Sequence, residues 1–209
     1  TLREYYAFII NNVELLKSDL IEFSAQRTDQ LQILESKTEE FRIPYEEHYK
    51  YIPYEKFIRE LESNVYKGYN TSMITDDLRS TSERLFEKYC DKNKNIKFVY
   101  KNGDSGQQYL SIVYGTNLGI QRLFYPDYIL QLKDGTIWII ETKGGEKQGK
   151  SKNIDVQVEN KFKAFKSFAT KHGYKFGFVR DKNDELYLNN TEYVDNMSDD
   201  NWKLLEEIF

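Results

Sequence analysis

Two apolar segments, residues 123–132 and 136–143, separated by Lys133-Asp134-Gly135, constrain this chain more than any other feature. Tyrosine, isoleucine and leucine dominate the first, and Ile137-Trp138-Ile139-Ile140 fill the second. β-Branched and aromatic runs bounded by an Asp-Gly turn specify a β-hairpin, because glycine takes the positive φ that a tight antiparallel turn demands. Helical patterns precede and follow this hairpin, and further strands flank it, so the order predicts an α/β fold with helices over a sheet.

The length of 209 residues allows one large domain, or a domain with an appendage. An aromatic fraction of 15% argues against disorder despite a modest 39% hydrophobic content. No apolar run reaches membrane-spanning length and no signal peptide opens the chain, so no membrane role is expected. Cys90, the single cysteine, excludes an internal disulfide framework and points to a reducing compartment. The chain begins at Thr1 rather than methionine, as a piece of a longer protein would.

Tyr5, Tyr6, Ile9, Ile10, Val13, Leu16, Leu20 and Phe23 recur at spacings of three and four, which predicts a helix over residues 2–36. Residues 39–54, with Pro44 and Pro53, read as a linker or exposed arm, and a short helix is expected over 55–66. A helical extension over residues 1–76 therefore precedes a compact domain over 77–209. The domain opens with a helix over 80–92 whose apolar face is Leu85, Phe86 and Tyr89. Strands follow over 97–101 and 109–114, joined by Asn102-Gly103-Asp104, and then come the two hairpin strands. A helix over 154–171 with Val158, Phe162, Phe165 and Phe168 inward leads to strands over 175–180 and 185–188, and Ser198 opens a terminal helix.

Chemistry enters through the polar residues of the hairpin. Side chains alternate along a strand, so Ile137, Ile139, Glu141 and Lys143 share one face and Trp138, Ile140 and Thr142 the other. Antiparallel pairing sets Asp127, at the start of one strand, beside Glu141 at the end of its partner. A hard divalent cation takes oxygen ligands, here the two carboxylates and the Thr142 backbone carbonyl. A water held by such a cation is a nucleophile, and Lys143 beside it would orient or deprotonate that water and neutralise a phosphate. A solvated Glu/Lys pair and a Pro-Asp turn are the bland alternatives for each half.

Net charge is −4, but it is unevenly spread. Residues 144–182 carry 10 Lys/Arg against 4 Asp/Glu, whereas residues 183–209 carry 1 against 8. A basic stretch directly after the Glu-Thr-Lys strand suits a phosphate backbone; a solvated lysine-rich helix accounts for the same charges.

Pro126-Asp127 followed by Glu141-Thr142-Lys143 resembles the PD-(D/E)XK nuclease superfamily. Phe98-Val99-Tyr100-Lys101-Asn102-Gly103-Asp104, Tyr109-Leu110-Ser111-Ile112 and Phe124-Tyr125-Pro126-Asp127-Tyr128-Ile129 resemble, in order, the C-terminal endonuclease region of type III restriction enzyme Res subunits. The resemblance covers residues 78–190. It implies a restriction-endonuclease-like mixed sheet flanked by helices and Mg²⁺-dependent (Mn²⁺-substitutable) hydrolysis of double-stranded DNA in a bacterial cytoplasm. It further implies an ATP-driven helicase-like motor in the full-length subunit, absent from this chain, and a DNA-methylating modification subunit as partner. Asp127, Glu141 and Lys143 carry over directly as catalytic residues. The superfamily often has an acid on the first core helix, and Glu83 matches it, with Glu87 one turn on. Ser80-Thr81-Ser82-Glu83 is equally a capping box in which Glu83 would bond its own helix start. Gln157 or Lys161 would supply a polar residue on the helix after the lysine. Lys147, Lys150 and Lys152 are candidates for the DNA backbone.

Two other readings compete. The first keeps the nuclease fold but leaves only a DNA-binding or docking role, the acids having lost their metal. In the second, residues 144–151 read G-x-x-x-x-G-K-S after a strand and before a helix, the phosphate-loop pattern of a nucleotide-binding domain. Against it, the preceding strand ends in polar residues, and too little chain follows for the remaining parallel strands. The isolated His48 and His172 offer no zinc spacing.

Overall fold

The computed structural model describes residues 1–34, 43, 57–65, 70–72, 80–102, 110–116, 120–144, 146–147, 150–151 and 157–209. Helices α1 (Leu2–Asn11) and α2 (Val13–Leu34) come first, followed by the paired strands β1 (Phe57–Glu60) and β2 (Asn70–Ser72). Helix α3 (Thr81–Lys92) leads into β3 (Ile96–Lys101), and β4 (Ile112–Gly115) pairs with β5 (Gln121–Phe124). Then come β6 (Tyr128–Leu132), β7 (Ile137–Lys143), the two-residue strands β8 (Glu146–Lys147) and β9 (Lys150–Ser151), and α4 (Val158–His172). The chain closes with β10 (Lys175–Lys182), β11 (Glu185–Asn189), β12 (Lys203–Leu204) and a 3₁₀ turn, Leu205–Glu207.

The result is a mixed α/β fold. Among the described residues, six strands form the central sheet in the order β12, β11, β10, β7, β6, β3. Only β7 and β10 run parallel, joined by the α4 crossover that such a pairing requires. The expected hairpin joins β6 to β7, with Gly135 at φ 91° and the Leu132 amide donating to the Thr136 carbonyl at 2.9 Å. Asn183 and Asp184, both at positive φ, turn β10 into β11.

Alternation along the strands divides the core. On one face Phe86 and Cys90 of α3 pack with Val99, Tyr128, Leu130, Ile140 and Val179. On the other, Phe162 and Phe165 of α4 pack with Ile129, Ile139, Phe176 and Phe178, and with Ile112 and Phe124 of the β4–β5 ribbon. Phe162 meets Phe176 and Phe178 edge-on at centroid distances of 5.4 and 5.1 Å, the arrangement aromatic quadrupoles favour. The phenylalanine stripe of α4 is therefore core. Cys90 is fully buried, and burial pushes its thiol well above the ordinary value.

Several expectations are corrected. The long strand over 123–132 is two strands in different sheets, because Pro126 lacks the amide a ladder needs and bends the chain between β5 and β6. The 97–101 and 109–114 segments do not pair; β4 joins β5 instead, and residues 103–109 lie outside the described residues. The helix expected over 55–66 is strand β1 followed by a turn, since Leu61 is drawn into the core, the Val65 amide donates to the Val99 carbonyl and the Val99 amide donates to the Ser63 carbonyl. No helix opens at Ser198: the Asp199 carboxylate takes the Asn201 amide at 2.9 Å, and Trp202 is buried with its indole donating to the Val194 carbonyl at 2.8 Å. Asp and Asn at such positions hold turns by this kind of local bond.

The N-terminal helix is present but broken at Asn12, whose side chain donates to the Phe8 carbonyl at 2.8 Å. Its apolar residues up to Phe23 are exposed, Tyr5 and Ile10 each at 70%. Among the described residues, no helix is long and apolar enough to cross a membrane.

Candidate metal centre

Asp127 sits in the bend that Pro126 creates, and its backbone is fixed before its side chain is considered. Asn102, at the end of β3, is buried. Its amide donates to the Asp127 carbonyl at 2.8 Å, and its side chain donates to the carbonyls of Pro126 (2.8 Å) and Leu110 (2.9 Å). The sequence predicts a turn at Asn102; in the fold its bonds hold the bend that aims Asp127. Asn102→Ala should lower stability by about 2–4 kcal/mol, because it strands buried carbonyls at roughly 1–3 kcal/mol each. Urea denaturation followed by circular dichroism measures this, and an unchanged midpoint would remove Asn102 from this role.

The Asp127 carboxylate is then gripped from β7. Its Oδ2 accepts from the Thr142 amide at 2.8 Å and the Thr142 hydroxyl at 2.6 Å. In an extended strand the N–H and C=O of one residue leave on the same edge. The Thr142 carbonyl therefore opens on the side of β7 that faces Asp127. Register pairs Tyr128 with Ile140, which sets Asp127 against Glu141 one step further, as the hairpin geometry requires.

Glu141 lies on the α4 face with Ile139 and is 5% exposed. Burial, and next the Asp127 charge, push its carboxyl up to about 8; Lys143 and Lys101 pull against that rise. One oxygen, Oε1, accepts from the Lys143 ammonium. The other, Oε2, is buried with no hydrogen-bond partner. Lys143 also lies 5.9 Å from the centre of the Phe178 ring. The convergence expected of Asp127, Glu141, Thr142 and Lys143 is thus present in the fold.

Glu83 forms the capping box and also reaches the neighbourhood of Asp127 through Lys101. Its Oε2 accepts from the Ser80 amide at 2.7 Å while its own amide donates to Ser80 Oγ, completing the capping box. Its Oε1 accepts from Lys101 at 2.6 Å, and Lys101 lies 3.6 Å from Asp127 Oδ1. Burial opposes ionisation of Glu83, but Lys101 and the Ser80 bonds outweigh it and hold the carboxyl below the usual glutamate value. Lys101 was missed by the sequence reading, which had only its place at the end of a strand to go on. It is 8% exposed and lies 4.5 Å from the centre of the Tyr128 ring. Burial disfavours its ammonium, but Asp127 and then Glu83 outweigh that cost and keep it charged above the lysine range. Tyr128 in turn donates to buried Glu87 at 2.8 Å. Ser82, fully buried on α3, donates to the Lys143 carbonyl at 2.8 Å and meets the Asp181 carboxylate, tying α3 to the ends of β7 and β10.

The remaining candidates are placed differently. Gln157 is the N-cap of α4 and accepts from Asn160 at 2.9 Å; Lys161 lies 5.6 Å from the centre of the Tyr114 ring. Lys147 and Lys150 are register partners in the antiparallel β8–β9 pair, and Lys152 lies outside the described residues. Because Lys150 and Ser151 are on a strand rather than at a helix start, the phosphate-loop pattern lacks the helix N-terminus it needs. Lys163 pairs with Glu159 at 2.6 Å and Lys166 donates to the Thr191 carbonyl, so part of the basic stretch is a solvated helix face.

The donor set can be tested against a cation. Among the described residues no three His, Cys, Asp or Glu side chains group closely enough to hold a metal by themselves. Two carboxylates repelling one another, one with a buried oxygen left unpartnered, nevertheless fit a cation completed by the Thr142 carbonyl and water. All-oxygen ligation selects Mg²⁺ or Mn²⁺ over zinc. Comparison with known proteins yields no matching family model, no matching curated protein and no matching solved structure.

Proposed function

We propose that this chain is the cleavage module of a Mg²⁺-dependent DNA endonuclease with a restriction-endonuclease-like fold, of the kind found in type III restriction enzymes. One observation carries the reading: the hairpin register sets Asp127, just before β6, against Glu141 of β7, with Lys143 on Glu141 and a buried Glu141 oxygen unpartnered. Asp127, Glu141 and the Thr142 carbonyl would hold the cation, which when bound supplies charge for the phosphate and acidifies its water. The chain's own residues do the rest. Lys143, bonded to Glu141, would orient water and offset phosphate charge. Thr142 keeps Asp127 from turning away, and Asn102 keeps its backbone in the bend. Lys147, Lys150 and Lys152, soon after β7, would meet the DNA backbone. The motor and the modification subunit belong to this proposal as partners outside the chain.

Purified protein should nick supercoiled plasmid with Mg²⁺ or Mn²⁺ and leave it intact with chelator. Plasmid untouched by any divalent ion, together with no calorimetric Mn²⁺ binding, would overturn the reading. Binding of DNA without any Mn²⁺ binding would instead support a docking role, which the lysine contacts made by both Asp127 and Glu141 favour as the second reading.

A further inference from the structure

We propose that Lys101 occupies the position a second divalent cation would otherwise take, so that the site holds one metal ion rather than two. This rests on the metal-dependent reading above. Two-metal phosphodiester sites set their ions about 3.5–4 Å apart, bridged by a shared carboxylate. Asp127 is a carboxylate set between the two sides of the sheet's edge. On the α4 face it opposes Glu141; on the α3 face it meets Lys101, which is paired across β3–β6 with Tyr128 and shares that residue's face.

The ammonium lies between two acids, 2.6 Å from Glu83 and 3.6 Å from Asp127. Both oxygens of Glu83 and both of Asp127 have partners, as does Glu141 Oε1. Glu141 Oε2 has none. Of Glu83, Asp127 and Glu141, the oxygen left open is on the α4 side, while on the α3 side the space between Glu83 and Asp127 is filled by a tethered cation. A buried lysine is tolerated only when paired, and Lys101 is paired with the very carboxylates a second ion would need. Its removal leaves Glu83 and Asp127 facing one another with no counter-charge, which is the setting that draws a divalent ion.

Titrating the metal-free protein with Mn²⁺, with free ion read by electron paramagnetic resonance and heat by calorimetry, tests this without recourse to cleavage. Wild type should bind one ion per chain, and Lys101→Met two. The double variant Glu83→Gln, Lys101→Met removes an acid along with the lysine and should return the count to one. Two ions in wild type would overturn the Lys101 proposal alone, as would one ion in Lys101→Met with affinity within twofold of wild type. No bound ion in wild type would overturn the metal-dependent reading itself. The wild-type count needs no variant, so the proposal stays exposed even if Lys101→Met fails to fold.

Discussion

Lys143→Met should cut plasmid cleavage by about 10²–10⁴-fold, the range that loss of one positioned proton-transfer or charge-stabilising group produces. Its interpretation is clean because of what the substitution leaves behind. Removing one partner of a buried ion pair normally strands a charge at a cost of several kcal/mol. Here the partner is Glu141, pushed up to about 8 by burial and by Asp127, so near neutral pH it can take a proton instead. The methionine keeps the aliphatic stem that lies toward Phe178. Circular dichroism and melting temperature should therefore stay close to wild type while cleavage falls. Asp127→Asn should lose activity to a similar extent, with a larger structural effect, since an amide in place of one oxygen would face the Lys101 ammonium donor to donor. Lys163→Met is the control: its ammonium is exposed and satisfied by Glu159, and cleavage should remain within about twofold, as for surface pairs worth less than about 1 kcal/mol. Lys143→Met retaining full activity would remove the lysine from the mechanism.

What the sequence disclosed and what it hid follow from the range of the interactions involved. The β6–β7 hairpin and the facing of Asp127 and Glu141 were legible because they depend on local turn chemistry and on the two-residue period of a strand. Helices α3 and α4 were legible from their apolar spacing, and Gly173, at φ 71°, ends α4 as a left-handed cap should. The errors arose where tertiary contacts override local preference. Leu61 and Trp202 are each pulled into the core, and their segments become strand and turn rather than helix. Pro126 is both half of the Pro-Asp motif and the break between β5 and β6, and the surrounding apolar run hides the second role. Lys101 and Asn102 were invisible as site residues because their partners lie between 8 and 26 positions away in sequence, and nothing in the local pattern distinguishes a clamp from a turn. The N-terminal helices fit the apolar spacing but not the burial that spacing implies, since their apolar side chains are exposed among the described residues.

Glu141 gives the second large effect, as a pH dependence of stability. Between about pH 5 and 8 the metal-free protein should grow less stable as pH rises, and Glu141→Gln should remove most of that slope. The folded-state value of about 8 lies above the 4.5 of an unperturbed glutamate. Between those values the folded chain holds a proton that the unfolded chain has released, so stability falls with rising pH. Below 4.5 both states are protonated and above about 8 both are ionised, and in either range this contribution is flat. The swing is on the order of a few kcal/mol, or several degrees in melting temperature for a domain of this size. Glu83 acts in the opposite sense, because its lowered folded-state value adds stability that disappears on acidification; that loss falls below the glutamate value and outside the Glu141 window. Glutamine keeps the shape of Glu141 and stays neutral, so it separates the titration from packing. A cation on Glu141 Oε2 competes with the proton, and Mg²⁺ should therefore flatten the wild-type slope while leaving Glu141→Gln unchanged. Melting curves across this pH range, with and without Mg²⁺, read all four cases. A wild-type slope that is absent, or one that Glu141→Gln preserves, would show that the buried carboxyl does not titrate as its surroundings require; a slope indifferent to Mg²⁺ would show that its open oxygen holds no cation.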